Sequence, residues 1–408
     1  MSNNLTIAIL SQNDVRESPS IIIDDFKNRQ PDIYAEFTQE DRRSPNDPSI
    51  IAADFLQNMQ TPIISSLNAN ATKQNIITKL FVKNGLVIQK EEHGSIPVLA
   101  AQANYVTING LSNTENDNKS PKSVFKGIKD TFKVTKAFTK NAIVSVAQTT
   151  NIASKSKGSA YIKIIINNLP FLFVNLHLPI DTSDKDTLGL KYRKDSMIKI
   201  LSELKTKNLY DKNTIIIVGG DLNFRIFPNP ANPELYEDQL TKILENSNEL
   251  PIPLKEITSD LENSNEIFTC KFQKEADYRN NEKLEHCREQ PIPDTMADIK
   301  TVQSNCGDKK RIPSRCDRFL LTKPDNIKIN VLLNKSHYIK EIDSDHNAIY
   351  SILEILPEEQ GFDIVEKTVN NCTDCKENVF SFPQTIKGGR KRKTTKKTRK
   401  NKRKTRKT

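Results

Sequence analysis

The sequence predicts an α/β (α+β) protein built on a sandwich of two β-sheets. Three observations predict it: short apolar β-branched runs recur along the chain, helical spacings lie between them, and residues capable of chemistry close the runs. The runs are Leu5–Leu10, Ile33–Phe37, Tyr161–Ile166, Phe171–Leu178, Thr214–Val218, Arg318–Leu321 and Ala348–Ile355. Their length and branching mark buried strands. Within Tyr192–Leu204, Met197, Ile200, Leu201 and Leu204 recur at three and four residues, the spacing of one helix face. Candidate residues at strand ends place a cleft where the loops of the two sheets gather.

The chain has 408 residues, and a single core stops growing near ~250–300 residues. One large domain over 1–356 is therefore expected, with insertions and tails, then a linker over 357–386. Residues 41–156 are rich in Asn, Ser, Thr and Lys and read as enlarged surface loops or an insertion, with strand-like pieces at Leu80–Gln89 and Asn104–Ile108. Inside this stretch Lys122, Lys126, Lys129, Lys133, Lys136 and Lys140 form a basic stripe at helical spacing. A solvated helix whose Phe125 and Phe132 pack into the domain is the favoured reading. Peripheral contact with an anionic membrane is the alternative.

The formal net charge of +10 is misleading. Residues 387–408 hold 14 Lys or Arg and no acid, which leaves the body with 47 basic against 51 acidic residues. The tail is expected to be disordered, since like charges repel and nothing apolar is available to bury. It reads equally as an attachment to nucleic acid or other acidic partners and as a localisation or solubility tag. The six cysteines have irregular spacings. They predict thiols in a reduced intracellular compartment, not a disulfide framework, and the Cys372/Cys375 pair lacks the second pair a structural zinc site needs. No secretory signal is read at the N-terminus. Polar residues interrupt the most apolar stretch, Ile162–Ile180, so a soluble protein is expected.

The segment richest in chemistry is Ile217–Arg225, where a strand breaks at Gly219-Gly220 into Asp221, Asn223 and Arg225. Phosphate-ester hydrolysis needs an anchor for water, a neutral group to orient it and cations for phosphate oxygens. On an extended segment these three side chains would face one cleft; a plain turn is the alternative. Further segments are Pro313-Ser-Arg-Cys-Asp-Arg318, Asp343-Ser-Asp-His346, Val174-Asn-Leu-His177 and Gln39-Glu40-Asp41. Two of only five histidines stand at strand ends, one beside an acid.

Taken in order, Gln-Glu, Lys-Gly-Ser, Asn-x-His-Leu, Gly-Asp-Leu-Asn-Phe-Arg, Pro-Ser-x-Cys-Asp-Arg and Ser-Asp-His resemble the motif series of the endonuclease/exonuclease/phosphatase superfamily. Phe-Arg after Asn223 and the Cys-Asp-Arg block resemble its inositol polyphosphate 5-phosphatases. The resemblance implies a four-layer sandwich of two packed mixed β-sheets flanked by helices, and Mg²⁺-dependent removal of a phosphate from an inositol phosphate or phosphoinositide. It implies Glu40, Asn13 and Asp345 at the metal, with Gln12 an alternative to Asn13. Asp221 would activate water and Asn223 would orient it. His177 and His346, the latter held by Asp317, would meet the phosphoryl oxygens. Lys157, Arg225, Lys271 and Arg318 would bind substrate phosphates. Val218 and Arg315 stand where that family carries tryptophan. A nuclease of the same superfamily and a non-catalytic module binding anionic lipid or nucleic acid are the competing readings; the acidic body weighs against the first.

Overall fold

In the computed structural model, the structure describes residues 4–17, 20–68, 74–98, 157–179, 187–246, 250–257, 268–270, 272, 287–307, 312–342 and 344–357. The lysine stripe, the Cys372/Cys375 pair, the linker beyond 357, the basic tail and Lys271 lie outside these residues.

Each apolar run becomes a strand, and period-two alternation divides its side chains between two layers. One six-stranded sheet runs in the order β13 (Ile327–His337), β14 (Ala348–Pro357), β1 (Leu5–Asn13), β2 (Ile33–Asp41), β4 (Asn75–Val82), β3 (Ile63–Leu67). The other runs β11 (Lys255–Glu256), β12 (Asp317–Thr322), β8 (Ile215–Asp221), β7 (Leu169–His177), β6 (Gly158–Ile166), β5 (Ile88–Pro97). Both sheets are mixed: β1 and β2 pair parallel, as do β7 and β8, beside antiparallel neighbours. A two-stranded ribbon, β9 (Ile226–Pro228) with β10 (Tyr236–Asp238), completes the strands.

Leu5, Ile7 and Ile9 of β1 pack in one buried cluster with Phe171 and Phe173 of β7 and with Ile215 and Ile217 of β8. This is the layer between the sheets. Continuing the same parity, Asn13, Asn175, His177 and Asp221 are the inward residues at the strand ends. Outside the second sheet, the helix Thr187–Thr206 (α3) lays Met197, Ile200, Leu201 and Leu204 on Leu172, Val174 and Val218. Outside the first sheet the cover is thinner: the short helices α1 (Asp24–Arg29) and α2 (Ala53–Leu56) with loops, centred on Phe26. The helices α4 (Gln239–Glu245) and α5 (Met296–Cys306) start at Asp238 and Thr295, whose side chains accept from backbone N–H groups of the first turn. The fold is the predicted α/β sandwich.

Two expectations fail. Ile63–Leu67, Asn75–Val82 and Ile88–Pro97 are not surface loops but strands, with β4 fully integrated between β2 and β3. Nor are the cysteines all thiols: Cys270 is bonded to Cys316 and Cys287 to Cys306. The argument for a reducing compartment loses its basis, because pairing depends on spatial proximity that irregular spacing does not report. Among the described residues, no helix is long and apolar enough to cross a membrane.

Candidate active site

The end of β8 carries the first part of the site. Gly220 has φ +120°, a conformation that L side chains rarely adopt, and a Cβ there would meet the Leu176 carbonyl, Asn175 Oδ1 and Gln39 Nε2. Glycine thus lets Asp221 sit against the neighbouring strand. The three side chains after it are not aligned by an extended segment: β8 ends at Asp221, and Asn223 is left-handed at φ 54°. They converge through a turn. The Asn223 N–H donates to Asp221 Oδ1 at 3.0 Å, and Arg225 Nη2 donates to Asn223 Oδ1 at 3.2 Å.

Asn13 Nδ2 donates to Asp221 Oδ2 at 2.7 Å. Gln12 instead donates from Nε2 to the Asn13 carbonyl at 2.7 Å, as alternation on β1 requires. Between Gln12 and Asn13, only Asn13 bonds to Asp221. Simple alternation on β2 would turn Glu40 away from the sheet interface, but the register with β4 shifts between Thr38 and Asp41 and Glu40 has φ 48°. This bulge re-aims the carboxylate. Its Oε1 lies 3.5 Å from His177 Nε2 and 3.7 Å from Lys157 Nζ, and His177 Nε2 lies 3.4 Å from Asp221 Oδ2. Lys157 Nζ is also in close contact with His177 Nε2. Burial, then the Lys157 ammonium, hold the His177 imidazole below its usual range, against the pull of Asp221 and Glu40.

The second part comes from β12 and the loop before β14. Asp317 is in register with Asp221, and its Oδ2 lies 2.7 Å from His346 Nδ1. Burial pushes the Asp317 carboxyl up and Asp221 adds to this, while His346 opposes it. The Asp317 N–H donates to Thr269 Oγ1 at 2.9 Å. His346 Nε2 lies 3.9 Å from Asp345 Oδ1. Thr269 bears on the site without a signal of its own in the sequence, although it adjoins Lys271. So does Ser344, whose Oγ donates to the Asn13 carbonyl at 2.8 Å and accepts from the His346 N–H at 3.0 Å. Gln39 joins the sheets by donating to Asn175 Oδ1 at 2.6 Å.

Asp221, Asp317 and His346 offer ligand atoms within 4.8 Å of one another. Buried Asp317 Oδ1 has no hydrogen-bond partner among the described residues. Carboxylate oxygens with one imidazole suit a divalent cation, so the residues present fit a metal. The expected Asn13, Glu40 and Asp345 border this cluster, Asn13 through Asp221, Glu40 through His177 and Asp345 through His346.

Arg318 does not join the site. Alternation on β12 points it away from the side of Asp317, and there it forms a close pair with Asp238 and donates to Glu256 Oε2 at 3.2 Å. Arg315, one of the two residues at the family's tryptophan positions, donates from Nη2 to Glu256 Oε1 at 2.6 Å. Val218 is a core residue under α3.

Residues 98–352, well over half the chain, match the family described as Endonuclease/Exonuclease/phosphatase family 2. The chain belongs to this family. A segment of 70 residues is 40% identical to sphingomyelinase C of Listeria ivanovii, covering 17% of this chain and 20% of that protein. The alignment thus spans a fifth of that relative. Among solved structures, the inositol polyphosphate 5-phosphatase domain of SPsynaptojanin, in complex with inositol (1,4)-bisphosphate and calcium ion, has a TM-score of 0.45 at 14% identity, over 88% of this chain and 87% of that one. The Cimex nitrophorin ferrous NO complex has the same TM-score and identity, over 86% and 99%. In this family member the buried Asp221, Asp317 and His346 cluster has the chemistry to hold a divalent cation.

Proposed function

We propose that the protein removes a phosphate, the 5-phosphate by its motifs, from an inositol polyphosphate or phosphoinositide in a Mg²⁺-dependent hydrolysis. The observation that carries the hydrolase reading is the convergence of Asp221 and His177 with the Asp317–His346 pair in one buried cluster. The inositol preference rests on Phe224-Arg225 after Asn223 and on Cys316-Asp317-Arg318.

Glu40, Asn13 and Asp345 are the residues we assign to the cation, at the border of the Asp221, Asp317 and His346 cluster; Asp317 Oδ2 stays with His346 and Asp221 is left to direct water. Bound there, the cation would supply Lewis-acid polarisation and stabilise a charged oxygen. Asp221 accepts from Asn13 Nδ2 and from the Asn223 N–H; both bonds orient it to receive a proton from water. With Nδ1 on Asp317, His346 presents Nε2 to a phosphoryl oxygen, and the carboxylate favours the imidazolium that would donate there. Lys157 and Arg225 are the described cations within reach of substrate phosphates; Arg318, paired twice, supports the fold of the Asp238 loop instead.

A second reading, cleavage of a phosphodiester in a phospholipid, is favoured by the local identity to sphingomyelinase C. The test incubates the full chain and Mg²⁺ with a soluble inositol polyphosphate, a short-chain phosphoinositide, sphingomyelin vesicles or plasmid DNA. Inorganic phosphate released from the inositol substrates, and lost in Asp221→Ala, supports the proposal. Phosphocholine release alone supports the second reading, and DNA nicking alone a nuclease; either result removes the inositol assignment.

A further inference from the structure

The loop that delivers His346 is held by a residue from a segment far away in sequence. Arg288 is 1% exposed. Its Nη2 donates to the Ser344 carbonyl at 2.6 Å and its Nη1 to the His346 carbonyl at 3.3 Å. These two carbonyls flank Asp345, whose own carbonyl accepts from the Phe272 N–H at 3.2 Å. The Arg288 carbonyl in turn accepts from Asn347 Nδ2 at 2.8 Å, so the residue grips the loop from both its side chain and its backbone.

We propose that Arg288 is a positioning residue for the hydrolysis proposed above, on which this inference rests: it fixes the Ser344–His346 backbone so that His346 meets Asp317 in one orientation. Burying a cation is costly unless its donors are satisfied. Here the guanidinium lies between Tyr338, 4.4 Å from its carbon to the ring centre, and Phe272, at 5.2 Å. That packing holds the fork in one plane and aims it at two backbone oxygens. The Cys287–Cys306 disulfide ties the adjacent residue to the end of α5, so the arm carrying the fork is anchored as well. Loss of the fork would leave two buried carbonyls short of their donors, with the loop then held by the Phe272 and Asn347 N–H groups and by Ser344 Oγ, and so less closely fixed at His346. A lysine keeps the charge but, as a single ammonium on a flexible stem, does not reproduce the planar two-point grip.

The experiment compares the full-length wild type with Arg288→Lys and Arg288→Met. It follows thermal unfolding, Mg²⁺-dependent phosphate release from a soluble inositol polyphosphate, and the proton NMR signal of the His346 Nδ1–H bonded to Asp317, assigned by its absence in His346→Gln. The expected result for folded Arg288→Lys is a kcat lower by about 10–100-fold with KM changed less than about threefold, the scale found when a residue orienting a site group is removed. The His346 signal should shift or vanish. An unchanged kcat with an unmoved signal overturns the proposal, as does a rise in KM alone. If Arg288→Met does not fold, Arg288→Lys carries the test; if Arg288→Lys does not fold either, the role is structural and the proposal fails. A wild type inactive on inositol phosphates whose His346 signal is nevertheless lost in Arg288→Lys would sink the functional reading and leave the positioning intact. An active wild type with a normal Arg288→Lys would sink the positioning alone.

Discussion

His346 Nδ1 stands 2.7 Å from Asp317 Oδ2, with both side chains almost fully buried. Strand register sets Asp317 opposite Asp221 on β8, so the carboxylate that orients the imidazole and the water-directing carboxylate come from neighbouring strands of one sheet, while His346 itself reaches them from the loop before β14 of the other sheet. The two carboxylates are therefore placed by strand pairing, and the imidazole by the hydrogen bonds that hold its loop.

Asp317→Asn should keep the fold and lose the acceptor that fixes the His346 tautomer. The expected fall in kcat is about 10²–10⁴-fold with KM little changed. Steady-state phosphate release beside far-UV circular dichroism checks it, and retained activity in a folded variant would remove His346 from the reaction.

Stability should depend on pH through His177. Its folded-state pKa is depressed, burial being the largest cause and Lys157 the next. The unfolded chain then binds a proton as pH falls below about 6.5 while the folded chain does not. The stabilisation is complete above that value, declines down to the lowered folded pKa and levels off below it. Denaturant titrations of metal-free protein between pH 8 and 5 should show this slope, at most about 1.4 kcal/mol per pH unit from this one group. His177→Gln should flatten it.

Reduction should destabilise the domain. The Cys270–Cys316 and Cys287–Cys306 links span 46 and 19 residues, and cross-links closing loops of that size contribute about 3–4 kcal/mol each. One loop lies inside the other, so the two contributions overlap. Guanidinium unfolding with and without a phosphine reductant measures the difference; identical midpoints, with all six thiols counted in the reduced sample, would show that the links do not stabilise the fold.

Gly220→Ala and Gly85→Ala should separate backbone strain from crowding. Both glycines have positive φ, at +120° and +93°, but a Cβ at Gly85 meets nothing within 4 Å whereas one at Gly220 meets the Asn175–Gln39 bridge. The cost should be about 1 kcal/mol at Gly85 and at least about 2 kcal/mol at Gly220, where metal affinity should fall too because Asp221 follows directly. Chemical denaturation ranks them, and equal costs would show that the Gly220 site relaxes.

Much of the site was legible before any coordinates. Asp221, Asn223 and His177 close or follow strong strand signals and His346 precedes one, and a residue at the end of a buried strand has few places to point. Asp317 was legible for the same reason, yet its neighbour Arg318 was not. It shares the motif, but its partners Asp238 and Glu256 lie 80 and 62 residues away in the chain. Thr269 and Arg288 act through a hydroxyl and a guanidinium aimed at backbone atoms, which leaves no motif. The strands at 63–97 were hidden because β3 and β5 are edge strands whose side chains alternate weakly or face water.

The sequence alone determined the strands, their two-residue alternation and the acids and imidazoles at their ends, since burial of a branched apolar run selects a strand wherever it lies. Only the tertiary structure decided which charges remain for a ligand and which are consumed within the protein. Ion pairing, disulfide bonding and the re-aiming of Glu40 by a bulge depend on distances between segments remote in sequence, and local pattern carries no measure of those distances.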